Sequence, residues 1–399
     1  MIIELIIALL CGVSAGTLTG LAPGIHINLI AAFLLASASS LPFSPLALVT
    51  FIVALSLTHV ILDFIPSIYL GVPEEDSFLA VLPGHQLLLE GRAHDALIYT
   101  LYGAFTGLII LILVTPIYIL FLPALYTALK TSIPFILIFI SFYLVLREER
   151  PFFASLVFIL SGLLGLLTFH LPVKEPLFPL LTGLFGLSSL FLSVKNTQKI
   201  KKQKILPLKK ITLSKKEAAR SFLGALISAP FCSFLPGIGS GHAAVIGSEI
   251  VQQNNRGFLA LLGAINVLVM SLSFVAVYAI SRARSGSAAA IQDLLKTITL
   301  QNLFTILIVV LISIILASFI ALYISKKAAN LLNKINYSLF CKIVIILLVI
   351  LTFIFSSWLG LIILLTATSV GIVCIRSNSR RINLMASLIL PAIYYYLWI

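Results

Sequence analysis

Long apolar runs separated by short polar turns recur from one end of this chain to the other. Clear examples cover residues 97–122, 133–146, 152–169, 177–194, 302–325, 338–357 and 383–399. Lipid cannot satisfy bare backbone groups, so membrane-spanning segments form helices or closed barrels, and these runs do not alternate as barrel strands do. Because about 20 apolar residues cross a bilayer core, the pattern predicts an all-α polytopic membrane protein with about 10 to 12 spans.

Composition supports this class and changes how the charge is interpreted. Hydrophobic residues make up 60% of the 399 positions and charged residues 10%, with a net charge of +13. Soluble proteins are nearer one half apolar and one quarter charged. The basic residues cluster between apolar runs, as cytoplasmic loops do, and no basic patch is interleaved with stacking aromatics. We therefore predict contact with the lipid bilayer and no nucleic-acid partner.

Neither the cysteines nor the N-terminus changes this picture. The cysteines lack metal-ligand spacing, so we expect packed thiols and no metal site or disulfide framework; they are Cys11, Cys232, Cys341 and Cys374. The start, MIIELIIALLCG, superficially resembles a secretory or lipoprotein signal. Glu4, the absence of Lys or Arg before it, and an apolar stretch that continues past Cys11 argue against that interpretation.

The strongest boundary is a basic segment near the middle of the chain. Residues 195–220 hold ten Lys or Arg and one Glu, which is typical of a solvated cytoplasmic loop. We therefore predict a first transmembrane repeat over 1–194, a basic cytoplasmic linker over 195–216 and a second repeat over 217–399. Counting spans from the linker places both chain ends outside. It also places the loop 171–176 and a short turn near 356–360 outside.

Two Pro-Gly motifs relate the two sides of the linker. LAPGIHINLIAA covers residues 21–32 and FLPGIGSGHAAV covers 234–245, with Pro-Gly-Ile displaced by 213 positions. The spans after each motif follow the same order, and the topology makes the two halves inverted with respect to each other. Inverted repeats are typical of secondary transporters, whose substrate site lies between the repeats near the bilayer midplane.

The Pro-Gly pairs predict broken or re-entrant helices. Pro23 and Pro236 cannot continue a helix, so each break places the start of a new half-helix, with free amide hydrogens, inside the membrane. Such helix ends attract anions. The predicted substrate-binding residues are Gly24, Ile25, His26 and Asn28 in the first motif and Gly237, Gly239, Ser240, Gly241 and His242 in the second. An ordinary kinked span is the alternative, and the two histidines are either proton carriers or neutral hydrogen-bonding groups.

Asp63 is the sharpest ionisable candidate, because it lies inside an apolar run. Charged groups within spans are costly and usually functional, so we predict that Asp63 holds the coupling proton or cation. Pairing with a basic residue on another helix is the alternative. Glu74, Glu75 and Asp76 follow Pro73 and suggest a solvated turn. No zinc, Ser-His-Asp or nucleotide-loop signature is present, so we do not expect an enzyme.

Three stretches resemble the large permease of tripartite tricarboxylate transporters. GTLTGLAPGIHINLIAAFLL, which begins at Gly16, is similar to that family's opening Pro-Gly motif. The stretch 64–97 is similar to its Ile-Pro-Ser signature, and 234–250 to its second Pro-Gly motif. The resemblance implies a carboxylate transporter driven by a cation gradient, sometimes with a small membrane subunit and an external solute-binding protein. The acidic turn at Glu74–Asp76 departs from the family's small neutral turn.

Together these features predict a secondary active transporter of a small organic anion, expected to be a carboxylate, that is driven by a proton or sodium gradient and needs no other cofactor. The chain is expected in the cell membrane. A translocase of polyprenyl or other lipid phosphates is the rival function, since it would use the same half-helix ends behind a lipid-facing opening. A homodimer is compatible with this assignment, and the sequence does not fix the oligomeric state.

Overall fold

The computed structural model is built from helices. It describes residues 2–22, 27, 30–31, 34–35, 38, 42–71, 79, 81–129, 131–195, 201–235, 239–332 and 337–398. The helices in chain order are α1 (Ile2–Leu21), α2 (Pro45–Leu62), α3 (Val81–Leu89), α4 (Ala93–Leu129), α5 (Ile133–Leu146), α6 (Pro151–His170), α7 (Leu177–Leu181), α8 (Ser188–Lys195), α9 (Lys215–Cys232), α10 (Ser240–Ile250), α11 (Asn255–Ile280), α12 (Gly286–Leu295), α13 (Leu300–Leu332), α14 (Tyr337–Arg376) and α15 (Ala386–Trp398). Two π turns (Pro66–Leu70 and Thr182–Leu187) and two 3-10 turns (Leu208–Lys210 and Arg381–Met385) complete the elements.

Seven helical segments among the described residues are long and apolar enough to cross a membrane. They are Ile2–Leu21, Pro45–Leu70, Ala93–Leu129, Pro151–His170, Asn255–Ile280, Leu300–Leu332 and Cys341–Arg376. No β-strand occurs in the part of the chain that the structure describes, so the predicted all-α polytopic fold is confirmed. The last segment bends at Ser357, where φ is 57°, within the predicted turn 356–360. Beside this bend, Ser356 Oγ donates to the carbonyl of Glu175, which joins the turn to the predicted loop 171–176.

Two central helices form the core. In the most apolar 18-residue stretch of α11, 94% of the residues are buried. The corresponding share in the segment Pro45–Leu70 is 83%. Each packs on the long helix of the other half, α11 on α4 and α2 on α13. The contact between α4 and α11 is close because Gly103 lies against the backbone of Ala260, where a Cβ atom would overlap the carbonyl. Apolar side chains point outward from α4, α6, α13 and α14, as expected for helices in lipid.

The first hairpin is formed by α1 and the chain that follows it. Glu4 accepts a hydrogen bond from the backbone N–H of Ser44 at 2.7 Å, so the chain has returned by residue 44 to the end where α1 begins. Glycines at i, i+4 and i+8 of α1 allow it to pack directly on the backbone of α2; these are Gly12, Gly16 and Gly20. The start of α1 and the start of α2 therefore lie at the same end of the bundle.

The second hairpin consists of α9 and α10. Glu217, in the first turn of α9, accepts a hydrogen bond from the side-chain amide of Asn254 at 2.6 Å, just beyond the end of α10. Between these ends, Gly224 packs against the backbone of Gly247. The two arms are thus antiparallel and return to one side. The sequence predicted a broken or re-entrant helix at this motif, and the antiparallel arms correspond to the re-entrant form.

Contacts around residues 201–216 define one end of the bundle, called here the linker side. Gln203 accepts from the backbone N–H of Ala93 at 3.1 Å and donates to the carbonyl of Leu88 at 2.8 Å, which fixes the linker to the turn between α3 and α4. The order of helices before the linker is similar to the order after it. That similarity agrees with the proposed division at 195–216, while the duplication and inversion of the halves remain predictions.

Candidate functional site

The tip of the second hairpin presents the start of a helix inside the protein. Gly239 is the N-cap of α10, with an extended backbone (φ −88°, ψ −178°), and its N–H donates to Nδ1 of His242 at 3.1 Å. Ser240 and His242 are both buried. The first turn of any helix has backbone N–H groups without an intrahelical acceptor, and these carry partial positive charge. The tip therefore offers hydrogen-bond donors to an anion in a buried setting.

The length of α10 sets the distance between this tip and the linker side. α10 has 11 residues, so its N-terminus is about 17 Å from its C-terminus along the helix axis. The C-terminal end is on the linker side, where Glu249 contacts Arg147 and Arg380. The hydrocarbon core of a bilayer is about 30 Å thick, so α10 is about half as long as a helix that crosses it.

Of the substrate-binding residues predicted from sequence, the structure describes four. Gly239 is the N-cap of α10, and Ser240, Gly241 and His242 form its first turn, while their role in substrate binding remains a prediction. The remaining predicted positions lie outside the described residues, so their roles remain predictions; these are Pro23, Gly24, Ile25, His26, Asn28, Pro236 and Gly237. The acidic turn of Glu74, Glu75 and Asp76 also lies outside the described residues.

Asp63 lies where α2 gives way to a π turn. It is the C-cap of α2, its side chain is fully buried, and its carbonyl accepts from the N–H of Ser67 at 3.2 Å. One turn earlier, His59 Nδ1 is 3.0 Å from Oγ1 of Thr19, which joins α2 to α1. Ser56, His59 and Asp63 are spaced three and four residues apart, so they share one side of the helix. Wide π turns are frequent at functional sites, which agrees with the role predicted for Asp63.

Two buried polar side chains that the sequence reasoning missed occupy matching places in the two central helices. Ser56 is the twelfth residue of α2 and Asn266 is the twelfth residue of α11. The hydroxyl of Ser56 and both polar atoms of the Asn266 amide have no hydrogen-bond partner among the described residues. An asparagine in the middle of the apolar run GAINVLVM was the available signal, because buried polar groups in a span are costly.

A charged cluster closes the linker side beside the second hairpin. Glu249, at the end of α10, forms ion pairs with Arg147 and with Arg380, the latter at 3.0 Å. Arg380 also pairs with Glu148 at 2.9 Å. Glu148 in turn accepts from the Asn383 amide at 2.9 Å. The cluster therefore connects α10 to the turn between α5 and α6 and to the 3-10 turn before α15.

A second polar network crosses the core near the linker side. The Tyr69 hydroxyl donates to the carbonyl of Ser325 at 2.9 Å and lies 2.7 Å from its Oγ. Nδ1 of His94 is 2.8 Å from the same Oγ. All three side chains are buried. The network therefore joins the π turn after α2 to α4 and α13, the helices that surround the central pair.

The fold and site define a polytopic helical membrane protein with a re-entrant hairpin, whose buried tip offers backbone donors. The family model described as the tripartite tricarboxylate transporter TctA family matches residues 6–386. The chain belongs to this family of transporter components, and the resemblance found in the sequence is confirmed. It is also 32% identical over 404 aligned residues, 98% of each chain, to "Uncharacterized protein MJ1079" of Methanocaldococcus jannaschii. No solved structure matches.

Proposed function

We propose that this protein is a secondary active transporter of a small organic anion that carries carboxylate groups, driven by a proton or sodium gradient. The family describes a tricarboxylate transporter component, which supports the substrate class. The observation that carries the proposal is the buried N-terminus of α10, with Gly239, Ser240 and His242 at its first turn. A carboxylate there would accept hydrogen bonds from backbone N–H groups whose orientation is fixed before the ligand arrives.

Each predicted residue has a role in this proposal. Gly239 and Gly241 present backbone amides, while Ser240 and His242 add side-chain hydrogen bonds. The other predicted residues of the two Pro-Gly motifs also bind the anion through backbone amides or side chains; they are Gly24, Ile25, His26, Asn28 and Gly237. Pro23 and Pro236 interrupt the helices at these motifs. Asp63, fully buried in α2, holds the coupling proton or cation. Movement of one half of the bundle against the other exposes the site alternately to the two sides.

The arrangement in the membrane is part of the same proposal. The chain spans the cell membrane several times, with the basic segment 195–216 in the cytoplasm and both ends outside, because cytoplasmic loops are enriched in Lys and Arg. The family describes a tripartite system, so a small membrane subunit and an external solute-binding protein are the partners assigned to it.

Uptake into proteoliposomes tests this function. The purified chain is reconstituted, and uptake of labelled mono-, di- and tricarboxylates is measured with and without an inward proton or sodium gradient. We expect gradient-dependent uptake of at least one of these anions, strongly reduced in Ser240→Ala and His242→Ala. Ser14→Ala and His170→Ala are matched controls, since both residues are exposed and distant from the hairpin tip in sequence.

The outcome separates the proposal from its rival. Gradient-dependent uptake of no carboxylate, with or without partner subunits from the same genome, would overturn it. A lipid phosphate that co-purifies with wild type and is absent from purified Ser240→Ala would instead indicate a translocase of lipid phosphates.

A further inference from the structure

The chain turns back into the bundle between α11 and α12. Ser281 is the C-cap of α11, and its carbonyl accepts a hydrogen bond from Nε2 of Gln292 in α12 at 3.0 Å. Nearer the start of α12, Oγ of Ser287 donates to Sδ of Met270 at 3.8 Å. Met270 lies about three turns before Ser281 in α11. α12 therefore begins beside the interior of α11 and runs in the same direction, so its N-terminus points back towards the linker side.

The first turn of α12 offers backbone hydrogen-bond donors. Ser285 is the N-cap, and its Oγ accepts from the backbone N–H of Ala288 at 3.2 Å. The backbone N–H groups of Gly286 and Ser287 have no acceptor among the described residues. Ser287 is buried. Because the N–H groups of a first helical turn carry partial positive charge, this helix start can bind an anion.

An asparagine side chain faces the same place. Asn266 lies one turn before Met270 on the same side of α11, and Met270 is the residue that Ser287 contacts. The N-terminus of α12 therefore points towards Asn266. The Asn266 side chain is 1% exposed, and neither its oxygen nor its nitrogen has a hydrogen-bond partner in the part of the chain that the structure describes. A buried amide without a partner is costly, which favours a ligand that bonds to both groups.

Asn266 lies at about the same level as the tip of the second hairpin. Helices α9, α10 and α11 meet at Gly224, where a Cβ atom would lie 3.0 Å from the Leu261 side chain and 3.1 Å from the carbonyl of Gly247. From this contact, Asn266 lies five residues along α11 and His242 five residues along α10, both away from the linker side. Each distance is about 7–8 Å along the helix axis, so the two side chains lie at similar depth.

The loop before α12 also lies beside the second hairpin. Arg284 is half-buried and directly precedes the N-cap Ser285. Its positive charge acts on the Cys232 thiol and on the Tyr118 hydroxyl. The Tyr118 hydroxyl is 2.5 Å from Oγ of Ser233, at the end of α9. The start of α12 is thus close to the second hairpin, and the charge of Arg284 favours an anion there.

We propose that the start of α12 and the side chain of Asn266 form a second subsite, which binds one carboxylate of the transported anion. This inference rests on the proposed function and adds to it a site outside both Pro-Gly motifs. The carboxylate accepts hydrogen bonds from the backbone N–H groups of Gly286 and Ser287 and from the Asn266 amide. α12 packs on α2 as well as on α11, so the subsite lies between the two halves. Two subsites at similar depth favour an anion with more than one carboxylate.

Gly286→Pro removes a backbone donor from the subsite without breaking the helix. Gly286 is the first residue of α12, a position where proline is favoured because its N–H has no intrahelical partner. The preceding residue, Ser285, has φ −113° and ψ 159°, which suits a residue before proline. Lys215→Pro is the matched control. It makes the same change at the exposed start of α9, after the N-cap Ser214 with φ −64° and ψ 154°.

Binding affinity tests the inference with the detergent-purified full chain. Citrate, succinate and acetate are the probes, titrated into wild type, Gly286→Pro, Asn266→Leu and Lys215→Pro in a calorimeter. Loss of one hydrogen bond to a charged group corresponds to about tenfold to hundredfold in affinity. We therefore expect Gly286→Pro and Asn266→Leu each to bind citrate at least about tenfold more weakly, with a smaller preference for citrate over acetate. Lys215→Pro should bind within about twofold of wild type, because it leaves the subsite intact.

Failure of this inference is distinguishable from failure of the proposed function. If wild type binds citrate and the two subsite variants bind it equally well, or Lys215→Pro weakens binding as much, the subsite is wrong and transport stands. If wild type binds an anion through this subsite but shows no gradient-dependent uptake, the transport function is wrong. Binding of no probe by wild type overturns both. Should Asn266→Leu elute as an aggregate, Gly286→Pro decides, since unchanged citrate affinity and selectivity in that variant would contradict binding at the start of α12.

Discussion

The carboxylate of Glu217 accepts a hydrogen bond from the side-chain amide of Asn254 at 2.6 Å, and this contact closes the second hairpin. The first hairpin has a corresponding contact, in which Glu4 accepts from the backbone N–H of Ser44 at 2.7 Å. Both Ser44 and Asn254 are N-caps of the central helices that follow. Glu217 lies 213 positions after Glu4, the same displacement that relates the two Pro-Gly motifs. The agreement supports a common plan for the two halves.

The cap of α11 should contribute measurably to stability. The Asn254 side chain accepts from the backbone N–H of Gly257 at 2.9 Å, in addition to its contact with Glu217. Loss of such an N-cap costs about 1 kcal/mol. We expect Asn254→Ala to lower the midpoint of thermal unfolding in detergent. Asn302→Ala, in the first turn of α13, serves as the control, because the only bond given for Asn302 among the described residues is from its backbone N–H to Oγ1 of Thr299. Equal midpoints for the two variants would contradict the assignment.

The close contact between α4 and α11 should tolerate no added methyl group. A Cβ at Gly103 would overlap the carbonyl of Ala260, and a Cβ at Gly263 would overlap that of Thr100. Because both obstacles are backbone atoms, we expect Gly103→Ala and Gly263→Ala to reduce the yield of monodisperse protein severely. At Gly257 the nearest atoms belong to flexible side chains, so Gly257→Ala should express normally. Normal yields for both core variants, measured by fluorescence-detected size exclusion, would show that the helices are packed differently.

We expect the Asn266 side chain to lower the stability of the fold and to be required for transport. Its amide is buried without a hydrogen-bond partner among the described residues, and an unsatisfied buried polar group costs about 1–3 kcal/mol. We expect Asn266→Leu to raise the unfolding midpoint while it abolishes carboxylate uptake. Ser271→Ala is the matched control, because the Ser271 hydroxyl is also buried without a partner in the part of the chain that the structure describes, but lies on another side of α11.

The two measurements together decide whether Asn266 has a functional role. A gain in stability with unchanged uptake would show that Asn266 does not contact the ligand. A loss of stability would show that its amide is satisfied in the folded protein, which would contradict the structural basis of the prediction.

The network around Ser325 should be structural. Its hydroxyl lies within hydrogen-bond distance of both Tyr69 and His94, so removal leaves two buried partners incompletely satisfied. We expect Ser325→Ala to destabilise the protein by about 1–3 kcal/mol. Ser313→Ala, on the same helix, removes a buried hydroxyl that has no partner among the described residues and should be neutral or slightly stabilising. Chemical unfolding of both variants in the same detergent measures the difference, and a neutral Ser325→Ala would contradict the assigned network.

Hydropathy was sufficient to predict the fold class but not the path of the chain. Apolar runs and the basic segment 195–216 indicate helices in a membrane, because the cost of exposing backbone to lipid leaves few other structures. The reversal of the chain between Cys232 and Ser240 was not predictable in this way, since an apolar helix that returns has the same composition as one that crosses. The contact that shows the reversal, between Glu217 and Asn254, joins residues far apart in sequence.

The candidate site was predicted in part. The spacing of Gly239, Ser240, Gly241 and His242 after a Pro-Gly pair was enough to place them at a helix start, because the preferences of Pro and Gly act locally. The importance of Asn266 depends on its surroundings, in which its amide has no hydrogen-bond partner among the described residues. Such a tertiary feature cannot be read from residue type.

The central claim is that the start of α10 holds the transported anion near the middle of the membrane. A density map of the protein with bound citrate tests it most directly. The account predicts density for a carboxylate within hydrogen-bond distance of the backbone nitrogens of Gly239–Gly241, facing the first Pro-Gly motif. Citrate bound elsewhere, with the tip of the second hairpin packed against lipid or against another helix, would contradict it.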